Sequence, residues 1–339
     1  MRTTSRHRSL TRMVAAIGAV SLVAACSGTG GTGGGDATSY PDKNITIVVP
    51  FSAGGPTDTV TRMLAEPMAK KLGAKIVVQN VEGAGGTIGA GEVARADADG
   101  YTVLMHHIGM STAPALYKKL GYEPTKDFEP VGLVTEVPMT VVARKDFAPA
   151  TFQDLVTHVK ANANRVTLAN AGIGAASHLC GLLFQDAVGV KLQEVPYEGT
   201  GPALTDLVGG QVDFMCDQTT NTSGQISSGK VKAYAVTTPE RVKSLPDLPT
   251  TAESGLPQLQ VSVWHGLYVP AGTPQEIVQK LSDALKAALA DQGVIDQMAK
   301  LGTTPVQAAD ATPQAHRAHL EEQLGTWAKI IADAGVEAS

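Results

Sequence analysis

From Tyr40 onward, short β-branched runs alternate with helix-length stretches, and that alternation restricts the chain to α/β architectures. Ile45-Thr46-Ile47-Val48-Val49 reads as a strand ending at Pro50. Thr57 or Asp58 can cap the helix that follows, whose apolar positions include Val60, Met63 and Leu64. Pro67 predicts a kink or break in it, and Gly73 its end. Ile76 to Val78 is the next strand, the turn Gly83 to Gly86 opens a helix through Val93, and Tyr101 to Met105 is again a strand. Met139 to Ala143 starts a second series, in which Thr151 with Asp154 forms a box-like helix start. Val166 to Ala169 is a strand, Ser177 to Val188 a helix, and Leu192 to Val195, Val212 to Cys216 and Val231 to Val236 are further strands. Val261 to Val269 returns as an apolar run, Pro274 opens a helix to about Ala290, and Thr312-Pro313 opens a last one to Ala334.

Two strand–helix series predict two α/β lobes, each a mainly parallel sheet flanked by helices. A chain of 339 residues has room for both plus a leader, since domains run to ~100–150 residues. Crossings near residues 139–143 and 261–266 make a two-strand hinge, with lobe 1 at 41–140 and 265–339 and lobe 2 at 141–264. Loops at the C-terminal strand ends then face a cleft between the lobes, the usual ligand position in open α/β sheets.

The first 26 residues read as a leader. Arg2, Arg6, Arg8 and Arg12 precede an apolar stretch, Met13 to Val23, that is too short to span a bilayer. Val23-Ala24-Ala25-Cys26 resembles a bacterial lipobox, which predicts acylation of Cys26; the alternative is an ordinary signal peptide with Cys26 incidental. Residues 27–40 are rich in Gly, Thr and Ser and read as a flexible tether. Export to an oxidising compartment leaves two cysteines, Cys180 and Cys216, which either pair or stay as buried thiols. The predicted address is periplasmic and lipid-anchored, with the outer membrane favoured.

The candidate binding loops carry no cation. Segments 51–59, 83–89, 170–178 and 217–222 contain neither Lys nor Arg. An anion there must be held by backbone N–H groups, hydroxyls and helix N-termini. Ser52, Gly54, Gly55 and Thr57 fit that role on the first lobe, and Gly172, Gly174, Ala176 and Ser177 on the second. Ordinary tight βα turns are the plain alternative for the same glycines. Asp58 reads first as a helix cap. His106-His107 follows a strand end, and a paired His there could donate to a second carboxylate or bind a metal. His316 and His319 share a helical face and read as solvated. No metal and no cofactor are expected, because the histidines lack converging partners, and dinucleotide, P-loop and nucleophile-elbow motifs are missing. A net charge of −5 argues against a nucleic-acid partner.

Several segments together resemble the Bug (TctC-like) family, the substrate-binding proteins of tripartite tricarboxylate transporters. They are Phe51 to Asp58, Gly83 to Thr87 with Asp99 to Thr102, Pro196 to Ala203 with Gly209 to Asp213, Leu248 to Thr250 with Glu253 to Gly255, and Val269 to Pro274. The match runs from about residue 40 to 339, with departures at Val81-Glu82 and His106-His107. The resemblance implies a type II periplasmic-binding-protein fold that closes like a hinged clamp on a small organic acid, with no catalysis. It also implies delivery to the membrane components of a tripartite transporter. A sensory co-receptor and a periplasmic enzyme are the rival classes, and a monomer is expected. The implied grip places a ligand carboxylate between Ser52–Asp58 and Gly172–His178. The far end would be read by Gly85, Gly86, Thr87 and His106, and by Asp217 to Asn221, which resemble the family's second-lobe cleft wall.

Overall fold

The computed structural model describes residues 39–336 and 338, so the leader, Cys26 and nearly all of the tether lie outside the described residues. The Ile/Val run of β1 (Ile45–Val49) pairs in parallel with β2 (Ile76–Asn80) and β3 (Thr102–His107). Ile45, Ile47, Val48 and Val49 are all buried, the pattern of a strand covered by helices on both sides. Between these strands run α1 (Pro56–Leu72), then a 3-10 turn at Ala84–Gly86 leading into α2 (Thr87–Ala94). A short α3 (Gly109–Leu116) follows β3.

The next strand joins the two halves of the molecule. β4 (Phe128–Arg144) is 17 residues long. Its residues 128–138 pair antiparallel with β9 (Ser262–Pro270), which itself lies beside β3. Its residues from Met139 on pair with β7 (Phe214–Gln218) and β8 (Val231–Val236). The second sheet is completed by β5 (Thr167–Asn170), parallel to β7 and to β6 (Gln193–Pro196). Each sheet is therefore mixed, a parallel trio extended by antiparallel crossing strands, and together they build the two-lobe α/β fold. The chain leaves the first sheet at Pro138 and re-enters it at Ser262.

The second lobe carries α4 (Phe152–Asn162), α5 (Ala176–Val188), α6 (Thr200–Val208) and α7 (Thr219–Ser227). After β9 come α8 (Gln275–Leu289), α9 (Gln292–Lys300), β10 (Thr304–Pro305) and α10 (Pro313–Asp333). The start of α4 is the anticipated box: Thr151 Oγ1 accepts from the Asp154 N–H at 3.1 Å and the Asp154 carboxylate from the Thr151 N–H at 3.0 Å. Cys180 on α5 and Cys216 on β7 form a disulfide, with Cα atoms 6.0 Å apart. No helix among the described residues is long and apolar enough to cross a membrane.

Local readings of the sequence needed correction in several places. Helix α1 runs unbroken through Pro67, because Leu64 and Met68 on either side are buried against the rest of the first lobe. Its N-cap is Gly55 rather than Thr57 or Asp58, which lie within the first turn. His316 is fully buried, its ring against Tyr268 and Trp264, and only His319 is partly exposed. The first half of β4 and helices α3, α6, α7 and α9 were not anticipated at all.

Candidate functional site

Four helices begin around one enclosed space between the lobes. Gly55, Pro56 and Thr57 bring the start of α1; Ala175, Ala176 and Ser177 bring that of α5. Thr200 opens α6, and Gln218 immediately precedes α7. Phe51, His107, Ala171 and Asp217 complete the lining. The space available to water centres is about 20 Å³, room for a single water. None of these four helices has a side-chain cap. Helices α4, α9 and α10 are capped by Thr151, Asp291 and Thr312, while α2, α3 and α8, which do not line this space, also lack a side-chain cap. The first N–H groups of a helix have no partner within it and carry its partial positive charge. Leaving them uncapped at one point makes a cavity that attracts anions through its helix starts, with no Lys or Arg in its lining and Asp217 as its one acidic group.

On the first lobe the wall is aromatic. Phe51 stacks on His107, with centroids 4.5 Å apart, and meets the edge of His106 at 5.7 Å. His106 Nδ1 accepts from the His107 N–H at 2.8 Å, and His107 Nδ1 accepts from the Gly109 N–H at 2.9 Å. Both rings are neutral. Burial pushes His106 down to about 3 and His107 well below the ordinary imidazole value. Thr57 Oγ1 lies 3.3 Å from Nε2 of the buried His265, which burial lowers to about 4. The Ser52 N–H donates across the cleft to the Glu198 carbonyl at 3.2 Å, while Ser52 Oγ is buried without a hydrogen-bond partner.

On the second lobe the wall is polar. Ser177 Oγ accepts from the Ala171 N–H at 2.9 Å, tying the β5–α5 loop. Asp217 is fully buried; its carboxyl accepts from the Gln218 N–H at 2.8 Å and from the Asn221 amide. Burial raises Asp217 to about 7 despite those bonds and another from Thr200. Gln218 Oε1 and Thr220 Oγ1 are buried and unpaired nearby.

The rim is closed by backbone contact. A methyl group on Gly85 would lie 1.8 Å from the Ile173 carbonyl oxygen, and Gly85 has φ +62°, so only glycine fits this meeting of the lobes. The Tyr117 hydroxyl sits 2.7 Å from both the Ala84 and the Ile173 carbonyl oxygens, bridging the lobes with its one proton. Thr112 Oγ1 donates to the Gly174 carbonyl at 3.1 Å. On the other side, a Cβ on Gly199 would lie 2.0 Å from Ser52 Oγ.

Of the residues singled out in the sequence, Phe51, Gly55, Thr57, Ala176, Ser177 and Asp217 line the cavity. Ser52, Gly85, Gly172 and Gly174 lie where the lobes touch. Gly86 and His106 sit behind Phe51. Four are occupied with their own loops. Gly54 donates to Asp58 at 2.8 Å, and Asp58 also accepts from Arg62 and Asn80, bonds that outweigh its burial and lower its pKa. Thr87 donates to the Ala84 carbonyl, and His178 accepts from the Gly174 N–H while facing Glu194. The cavity also takes in Gln218, within the Asp217–Asn221 run, and His107, the partner of His106; Thr200 was given no site role. Thr200 stood inside the Pro196–Ala203 segment, the one signal that could have flagged it.

The profile of the tripartite tricarboxylate transporter family receptors matches residues 60–336. An Agrobacterium vitis protein from the TAR-I ttuE-ttuC' intergenic region is 54% identical over 297 residues, covering 88% of this chain and 86% of that one. Among solved structures, the periplasmic binding protein BugD is 54% identical with a TM-score of 0.87, covering 88% of this chain and 100% of its own. MatC from Rhodopseudomonas palustris, with bound malate, is 42% identical with a TM-score of 0.84, covering 86% and 100%.

Proposed function

The chain belongs to the family of tripartite tricarboxylate transporter receptors, periplasmic solute-binding proteins rather than enzymes, and from that premise we propose that a carboxylate ligand is held in the cavity between the lobes. The observation that carries this reading is the meeting of four uncapped helix starts in one cation-free space. A carboxylate accepts hydrogen bonds from several neutral N–H donors, each worth roughly 1.5–3 kcal/mol when the acceptor is charged. Lobe 1 (41–140 and 265–339) and lobe 2 (141–264) act as the jaws. Ser52, Gly55 and Thr57 contribute from one jaw, and Ala176, Ser177 and Thr200 from the other.

The bound malate of the MatC relative supports a small dicarboxylic acid as the solute. The cavity as closed holds about one water, so such a ligand must enter with the jaws parted. Delivery to the membrane components of the transporter follows from the family. Anchoring by a lipid on Cys26, a residue outside the described part, is proposed from the Val23-Ala24-Ala25-Cys26 sequence. A thermal-shift screen of four- to six-carbon dicarboxylates, followed by calorimetry, tests the binding reading. A ligand bound at 100 times its Kd stabilises the fold by about 2.7 kcal/mol. No shift with malate or any other member of the panel refutes it. Radiolabelled palmitate entering the full-length chain but not Cys26→Ala tests the anchor.

A further inference from the structure

We propose that Asp217 takes up a proton when the cavity captures an anion, so that each molecule of acid ligand bound consumes one hydrogen ion from solvent. The inference rests on the carboxylate reading of this cavity and adds the charge rule by which the cavity works. Asp217 is the one acidic side chain in the lining, and it is completely buried there. The donors around it, the Gln218 N–H, the Asn221 amide and the Thr200 hydroxyl, are all neutral.

The titratable groups on the elements packed around it offer no compensating positive charge. His107 on β3 lines the same cavity and is neutral, as are His106 and His265 behind it. Asp58 on α1 is engaged by Arg62, and Arg144 on β4 by Asp146 and Asp213. Burial lowers His178 on α5, which faces Glu194 of β6. Asp206 on α6 accepts from the Tyr197 hydroxyl. Helix α7 and strand β5 carry no titratable side chain.

A ligand carboxylate entering this space therefore places a second negative charge beside the first without a cation between them. Like charges held in a desolvated site favour protonation of one partner. Burial, set against its three hydrogen bonds, already holds Asp217 near 7, so the added repulsion carries it to the neutral form at ordinary pH. The balance is simple: ligand anion, one solvent hydrogen ion and ionised receptor give a complex in which Asp217 is a carboxylic acid. The neutral acid then has a hydrogen to donate to a ligand oxygen, which the carboxylate lacks.

The test is titration calorimetry of the mature protein with malate, at pH 5.5 and pH 8, in buffers of different ionisation enthalpy. Uptake near one proton per malate at pH 8 and near none at pH 5.5 is expected. Affinity should fall up to tenfold per pH unit above pH 7. Asp217→Asn should abolish both the uptake and the pH dependence. Malate binding at pH 8 without proton uptake by the wild type overturns the proposal, and needs no variant to show it. It is equally overturned if a correctly folded Asp217→Asn keeps the proton uptake and the pH dependence of the wild type, since another group would then be the one that takes up the proton. Absence of binding heat from malate and from every dicarboxylate in the panel, at any pH, overturns the carboxylate reading itself and this inference with it.

Discussion

Removing the Cys180–Cys216 disulfide gives a prediction whose size follows from the chain. The bond closes a loop with a separation of 36 residues, and both cysteines are buried. The chain-entropy relation puts the unfolded-state entropy lost in such a loop at about 13 cal/mol/K, or about 4 kcal/mol at 25 °C. With a urea slope of about 3 kcal/mol/M, the midpoint of Cys180→Ala/Cys216→Ala should fall by about 1.3 M relative to the oxidised wild type. Truncating two buried sulfurs also leaves small voids, and reduced wild type separates that packing loss from the cross-link. If the loop entropy dominates, reduced wild type and the double variant unfold at nearly the same urea concentration, both far below the oxidised protein. A shift under about 0.3 M would refute the reasoning and mean that the unfolded chain is already compact in this segment.

Three further outcomes are expected. Gly85→Ala sets a methyl group against the Ile173 carbonyl oxygen, so calorimetry should show malate affinity down at least tenfold while the melting temperature moves little; affinity within threefold of wild type would contradict the contact. Tyr117→Phe removes the hydroxyl that spans Ala84 and Ile173, and stopped-flow release should quicken by about fivefold, the equivalent of roughly 1 kcal/mol, with the association rate unchanged. His106, His107, His265 and His316 are held neutral by burial, so the unfolded chain binds more protons than the fold below pH about 6.5; stability is complete above that value and is lost as pH falls towards 4, by up to about 2 kcal/mol per histidine at pH 5. A urea midpoint that is level from pH 7 to pH 5 would refute that assignment; Asp217, raised to about 7, acts in the opposite sense, destabilising the fold as pH rises from about 4 to 7.

What could be read from the sequence was mostly what short-range chemistry decides. The Val-rich strands, the Thr151–Asp154 box and the Gly73 helix end are local signals, and each appears in the structure. The misses share a long-range cause. Pro67 removes one helical N–H, but burial of Leu64 and Met68 keeps α1 intact. The polar sequence of α7 looks like a loop until Thr222 and Ser223 are seen to be buried, with the Thr222 hydroxyl bonded to the Gln218 carbonyl. His316 looked like a surface residue because nothing nearby in sequence announces Gly266, where a Cβ would strike its ring at 2.2 Å. The glycine-rich loops pointed to the right region of the molecule. They could not show which polar groups turn inward, because Asp58 and His178 are claimed by neighbours at Asn80 and Glu194, 22 and 16 positions away.

On the proposed grip, the uncapped helix starts also govern how the protein meets its solute in solution. A cavity built from backbone dipoles projects little field beyond its mouth, and the chain as a whole bears a net charge of −5. Approaching anions are then neither funnelled in nor required to displace a bound counter-ion. Ionic strength, which tunes receptors built on exposed lysine and arginine, has little to screen here. Capture should proceed at nearly the same rate in dilute and in concentrated salt, a useful property for a protein whose surroundings are set by the medium outside the cell.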